Sequence, residues 1–128
     1  KLNRFHKIEK GEAVGYGARW TAQQPSTIGI VPVGYGDGYM RALANKSEML
    51  FRGERVPVVG SVGMDYTFVD LTRALKSDQQ PPRNGEEIVI LGRQGKNEVT
   101  ASELAELAGT NAYEIATSIS RRVPREVV

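Results

Sequence analysis

Hydrophobic residues recur at every second position over short runs through most of this chain, the spacing that turns one side of a β-strand towards a core. Over 12–20 the alternation places Val14, Tyr16, Ala18 and Trp20 on one face of an expected strand. "TIGIVPVGY" (27–35) is a β-branched run, and "EMLFRGERVPVVG" (48–60) has the form of a hairpin with Gly53 at its turn. "DYTFVDLT" (65–72) alternates again, and "EEIVILG" (86–92) is a continuous apolar run suited to a buried strand. That makes six or more short strands.

The period changes only in the last third. Thr100 followed by Glu103 predicts a capping box, in which hydroxyl and carboxylate each satisfy a free backbone N–H. Ala101, Leu104, Ala105 and Ala108 then form one apolar helical face, and Gly109 is a suitable stop. Thr110 is placed to cap a second short helix, "NAYEIATSIS" (111–120), after which "RRVPREVV" (121–128) returns to an extended form. Many short strands with one helical excursion predict a mainly β fold: a small closed, Greek-key-like barrel with one or two short helices near the C-terminus. The polar stretch 76–86, with Pro81, Pro82 and the turn signal Asn84-Gly85, reads as a surface connection within one domain spanning 1–128.

Composition narrows the chemistry. The 128 residues are enough for one domain with a real core, and the hydrophobic (40%) and charged (25%) fractions are ordinary for a globular chain. No apolar run approaches the ~20 residues of a membrane span, and "KLNRFHKIEK" has no apolar segment of a signal peptide behind its basic start. The absence of cysteine removes disulfides, thiolate metal sites and a cysteine nucleophile, and is compatible with the cytoplasm. With His6 as the single histidine, no metal site is expected. The net charge is +2, with basic residues gathered in "KLNRFHK" and "SRRVPR", which reads as solvated termini or an interface rim.

Two motifs frame a tyrosine with glycines: "GYG" around Tyr16 and "GYGDG" around Tyr35. Either the chain bends sharply there or something approaches the backbone closely. "GYGDG" is G-x-G-x-G rather than the dinucleotide fingerprint, and the following segments read as a hairpin rather than a βαβ unit, which favours a tight turn or bulge. Tyr16, Tyr35, Tyr39, Tyr66 and Tyr113 taken singly read as core or half-buried tyrosines; a phenol needs a positive neighbour or a strong donor to act as a base. Arg19 and Arg41 lie near in sequence. "GSVGMDYTF" (60–68) reads either as a bulge with Met64 in the core and Asp65 as a turn cap, or as backbone N–H groups facing a ligand carboxylate, with glycines permitting the approach. No Ser-His-Asp set assembles.

Taken together and in order, "AVGYGARWTA", "IVPVGYGDGYMRALANK", "RVPVVGSVGMDYTFVDLT" and "GTNAYEIATSISRRVPR" resemble the C-terminal domain of alanine racemase, across nearly the whole chain. The resemblance implies a two-domain enzyme using pyridoxal 5'-phosphate, bound covalently by a lysine of an N-terminal (β/α)₈ barrel absent from this chain. It implies an isomerase that interconverts L- and D-alanine, a step of D-alanine biosynthesis and peptidoglycan precursor supply in the bacterial cytoplasm. Two bases serve opposite faces of the substrate in that family: the cofactor lysine, and a tyrosine donated by the partner subunit of a head-to-tail homodimer. The tyrosine motif carries over to Tyr16 as the catalytic residue, in the family tuned by a histidine and an arginine of the barrel. Met64 matches the residue whose backbone N–H meets the substrate carboxylate. Tyr35, Arg41 and Asp65 match the entryway, and Tyr113 a tyrosine that bonds the cofactor phosphate. The implied partners are the barrel, a second subunit and alanine, with no nucleic acid and no membrane.

The chain departs from the family where Ser61 replaces an arginine and Gly63 a cysteine, and where Asn111 and Ala112 precede the tyrosine; these bear on the entryway and substrate range. The isolated domain is expected to fold, to bind the cofactor poorly and to show no racemase activity. Two alternatives stand beside this reading: a related pyridoxal-phosphate decarboxylase of the same two-domain plan, and a stand-alone β-barrel module binding RNA.

Overall fold

The computed structural model describes residues 1–75 and 80–128; the start of the expected 76–86 connection, 76–79, lies outside the described residues. Among the described residues the strands are β1 (Arg4–Ile8), β2 (Ala13–Val14), β3 (Trp20–Thr21), β4 (Ser26–Val31), β5 (Glu48–Phe51), β6 (Glu54–Val59), β7 (Thr67–Asp70), β8 (Ile88–Val89), β9 (Gly92–Gln94) and β10 (Asn97–Val99). Two helices follow, α1 (Ala101–Ala108) and α2 (Ala112–Thr117).

Six strands form one antiparallel sheet in the order β1-β4-β7-β6-β5-β8. β4, β7, β6 and β5 within it have the Greek-key order, with 32–47 as the long connection. The β5–β6 hairpin turns on Arg52 (φ 52°) and Gly53 (φ 77°), both left-handed as a two-residue type I′ turn requires. The sheet curls into a barrel-like shape. Its edges are joined by Leu2, whose N–H donates to the Glu86 carbonyl (2.7 Å) and whose carbonyl accepts from the Gly85 N–H (2.7 Å). A pair of bonds, rather than a full ladder, draws the edges together, so the barrel is a curled sheet.

The concave side holds the main core, including Leu2, Val31, Met49, Phe51, Val56, Val58, Val69 and Leu71, closed by Leu104 and Ile115 from the helices. Gly29 is part of this layer: a Cβ there would stand 2.9 Å from Leu2 and 3.0 Å from Leu71. A second cluster, Ile8, Val14, Ala22, Ile28 and Val59 with Trp20 and Phe68, lies under the β2–β3 hairpin.

Several local expectations change. The run 12–20 is a hairpin rather than one strand: Gly15 (φ 78°), Gly17 (φ 80°) and Ala18 (φ 49°) are all left-handed and force a turn over Tyr16–Ala18. Val14 and Trp20 share a face because they are register partners across the hairpin; Tyr16 is 92% exposed. The Thr100 hydroxyl caps α1 by accepting the Glu103 N–H (3.0 Å), but the Glu103 carboxylate binds Arg55 instead of completing a capping box. α2 is capped by Asn111, whose side-chain oxygen accepts the Glu114 N–H (3.0 Å), and not by Thr110. It ends at Thr117, and 121–123 form a turn rather than an extended segment.

Candidate active site

Three connections meet at one end of the sheet: the β2–β3 turn with Tyr16, the Greek-key connection with Tyr35 and Arg41, and the β6–β7 connection with Met64 and Asp65. The Greek-key and β6–β7 connections meet backbone to backbone. The Tyr35 N–H donates to the Gly63 carbonyl (2.9 Å), and the Gly36 N–H to the Met64 carbonyl (2.9 Å). A Cβ on Gly34 would stand 2.1 Å from the Gly63 oxygen, and one on Gly38 would stand 2.1 Å from the Ser118 oxygen. The glycines of "GYGDG" are therefore where neighbouring backbones lie against the loop, which leaves Tyr35 free to project.

The Tyr16 turn is held from the other side. Ser61 Oγ donates to the Tyr16 carbonyl (3.0 Å). Asn45, itself left-handed (φ 57°), accepts the Gly60 N–H (2.7 Å) and donates to the Arg19 carbonyl (3.3 Å). Thr67 Oγ1, buried, donates to the Val33 carbonyl (2.6 Å) and fixes the start of the Tyr35 connection.

Together these loops line one open depression with Tyr16, Tyr35, Arg41, Ser61, Gly63, Met64, Asp65, Tyr66 and Phe68. The Arg41 guanidinium lies 5.8 Å from the centre of the Tyr35 ring, a cation–π contact that steadies both. Met64 is exposed rather than part of the core. Among the described residues its N–H has no acceptor, while its carbonyl is taken by Gly36. Asp65 caps no turn; its carboxylate pairs with Arg122 (2.6 Å), which also binds Asp37 (3.1 Å). Arg122 and Asp37 are the residues sequence reading passed over, Arg122 having been taken as part of a solvated basic terminus. Tyr113 is brought elsewhere: it stands on the first turn of α2, exposed, and does not line the depression.

Tyr39, by contrast, is structural. Its ring is buried, its hydroxyl donates to Ser47 Oγ (3.0 Å), and burial pushes its pKa up to about 12 despite that bond. His6 is exposed on β1. Among the described residues no group of three or more His, Asp or Glu side chains could hold a metal ion.

Fold and geometry define a class: a curled antiparallel β domain whose loops line one open depression at the end of the sheet. A family model described as "Alanine racemase, C-terminal domain" matches residues 1–127. The alanine racemase of Thermodesulfovibrio yellowstonii is 44% identical over 128 residues, 100% of this chain and 34% of that protein. The crystal structure of alanine racemase from Bacillus anthracis "with bound L-Ala-P" aligns with a TM-score of 0.85 at 35% identity, covering 95% of this chain and 30% of that one. Alanine racemase from Bartonella henselae "with covalently bound pyridoxal phosphate" aligns with a TM-score of 0.87 at 28% identity, covering 99% and 33%. The chain belongs to the alanine racemase C-terminal domain family, and spans about a third of the length of these relatives.

The residues present do not form a cofactor site by themselves. No lysine lines the depression, and Tyr113, the residue matched to a phosphate donor, stands outside it. The depression offers phenol hydroxyls, a free amide and a guanidinium, and no amine among its lining residues that could hold an aldehyde covalently.

Proposed function

We propose that this chain is the C-terminal domain of a pyridoxal-phosphate-dependent racemase that interconverts L- and D-alanine, and that it donates Tyr16 to the active site of a partner subunit in a head-to-tail homodimer. The observation that carries the reading is the convergence of Tyr16, Tyr35, Arg41, Met64 and Asp65, from three separate connections, on one open depression. An exposed tyrosine on a turn with two left-handed glycines is well formed to reach into a pocket supplied by another chain.

The chain's residues then have distinct tasks. The Tyr16 hydroxyl takes or returns the proton on one face of the substrate Cα, the other face being served by a base outside this chain. The free Met64 N–H receives the substrate carboxylate, which orients Cα towards Tyr16. Tyr35, held by Arg41, and Asp65 border the entryway, and Tyr113, exposed on α2, would donate its hydroxyl to the phosphate of a cofactor held by another domain. The cofactor, when bound, supplies the electron sink that makes the Cα–H acidic.

The test is racemisation of L- and D-alanine by the full-length enzyme carrying this domain, with added pyridoxal phosphate, beside its Tyr16→Phe variant. Phe keeps the ring and removes the proton carrier, so turnover is expected to fall by about 10²-fold or more in both directions. Unchanged turnover in both directions would reject the role of Tyr16. An inactive, cofactor-loaded parent would reject alanine racemisation itself.

A further inference from the structure

Two acidic residues bracket the Met64 segment, one along the chain and one across the loop contact. Asp65 follows it in the chain, and Asp37 belongs to the loop whose Gly36 N–H is bonded to the Met64 carbonyl. One guanidinium answers both acids: Arg122 Nη2 donates to Asp65 Oδ1 (2.6 Å) and Nε to Asp37 Oδ1 (3.1 Å). The second Asp37 oxygen accepts the Gly34 N–H (2.9 Å), and the Asp37 carbonyl accepts the Ser120 N–H (2.9 Å), so Asp37 joins the turn carrying Arg122 to the loop carrying Tyr35. Gly36 leaves the room for this, since a Cβ there would stand 2.7 Å from Arg122 Nη1. Arg122 is thus tied into the site from 57 and 85 residues away along the chain.

We propose that Arg122 is a positioning residue for carboxylate recognition, neutralising Asp37 and Asp65 beside the Met64 amide so that an incoming carboxylate meets an N–H rather than two negative charges. This rests on the reading of Met64 given above. An isolated amide is a weak anion site, and two unanswered carboxylates next to it would repel the substrate more strongly than one N–H attracts it. Arg122 offers its charge to the acids, acting through them and not on the substrate.

The experiment compares the full-length enzyme with Arg122→Gln and with Arg122→Gln/Asp65→Asn, measuring KM and kcat for L-alanine and inhibition by acetate as a simple carboxylate probe. Arg122→Gln is expected to raise KM and the acetate inhibition constant together by about five- to tenfold, with a smaller change in kcat. Adding Asp65→Asn removes one of the exposed charges and is expected to recover much of that loss. A KM unchanged in Arg122→Gln, or a loss that Asp65→Asn deepens, would overturn the inference while leaving the racemase reading in place. An inactive parent would remove both.

Discussion

Glycine meets two different physical needs in this chain, and substitution by alanine separates them. Gly34 has extended backbone (φ −152°) that any residue adopts, so its need is space: a Cβ would meet the Gly63 oxygen at 2.1 Å and the Met64 oxygen at 2.5 Å. Both neighbours are backbone and cannot rotate away. Gly34→Ala is expected to destabilise the domain by about 3 kcal/mol or more, read as a lowered urea midpoint. Gly85 is the opposite case, left-handed (φ 88°) with nothing within 4 Å. Gly85→Ala is expected to cost about 1 kcal/mol, the strain of placing a side chain in that region. Equal losses at the two positions would show that the backbone seam between the Tyr35 and Met64 loops is looser than its contacts imply. Tyr39 makes a related point about tyrosines: its hydroxyl is bound inside the core to Ser47, whereas Tyr16 and Tyr35 reach solvent.

At the scale of elements, the central strands and both helices were legible from local sequence, whereas β1, β9 and β10 were not read as strands and the expected buried strand over 86–92 is reduced to Ile88–Val89, with Gly92 opening β9. The β5–β6 hairpin follows from Gly53 between two β-branched or apolar runs, and α1 from Thr100 and the apolar spacing behind it. The misreadings share a cause. Val14 and Trp20 do lie on one face, as the alternation implies, but across a turn rather than along a strand, and a period of two cannot distinguish these. Glu103 had the spacing for a capping box, yet Arg55, 48 residues away, takes its carboxylate. Thr110 and Asn111 are both good cap types, so sequence could not choose between them. Substitution can: Asn111→Ala is expected to cost about 1 kcal/mol of stability and Thr110→Ala distinctly less, in thermal unfolding of this chain. The reverse order would return the cap to Thr110.

Over the whole molecule, the site residues legible from the ordered motifs were those on glycine-bounded turns, while Arg122 was hidden because only the fold brings it to Asp37 and Asp65. Long-range ion pairs also set how the fold responds to acid. Arg52 holds Glu86 next to the Leu2 closure (2.6 Å), and Arg55 holds Glu103 against the barrel (2.8 Å). In both, hydrogen bonding to the arginine is the largest influence and keeps the carboxyl below its ordinary value of 4.5, against a smaller opposing effect of burial. A carboxyl whose folded pKa lies below its unfolded one stabilises the fold fully above the unfolded value, and that contribution is lost as pH falls through the folded value. The apparent melting temperature is therefore expected to be insensitive to these two groups above about pH 5.5 and to decline below pH 4.5. Glu103→Gln separates one pair from the rest. It keeps a neutral partner for Arg55 and cannot ionise, so it is expected to be less stable by about 1 kcal/mol at pH 7 and to converge on the parent once the pH has fallen through the lowered folded value of Glu103. A constant gap across that range would mean that Glu103 acts through packing and hydrogen-bond shape rather than charge, and that α1 is held to the barrel without help from the Arg55 ion pair.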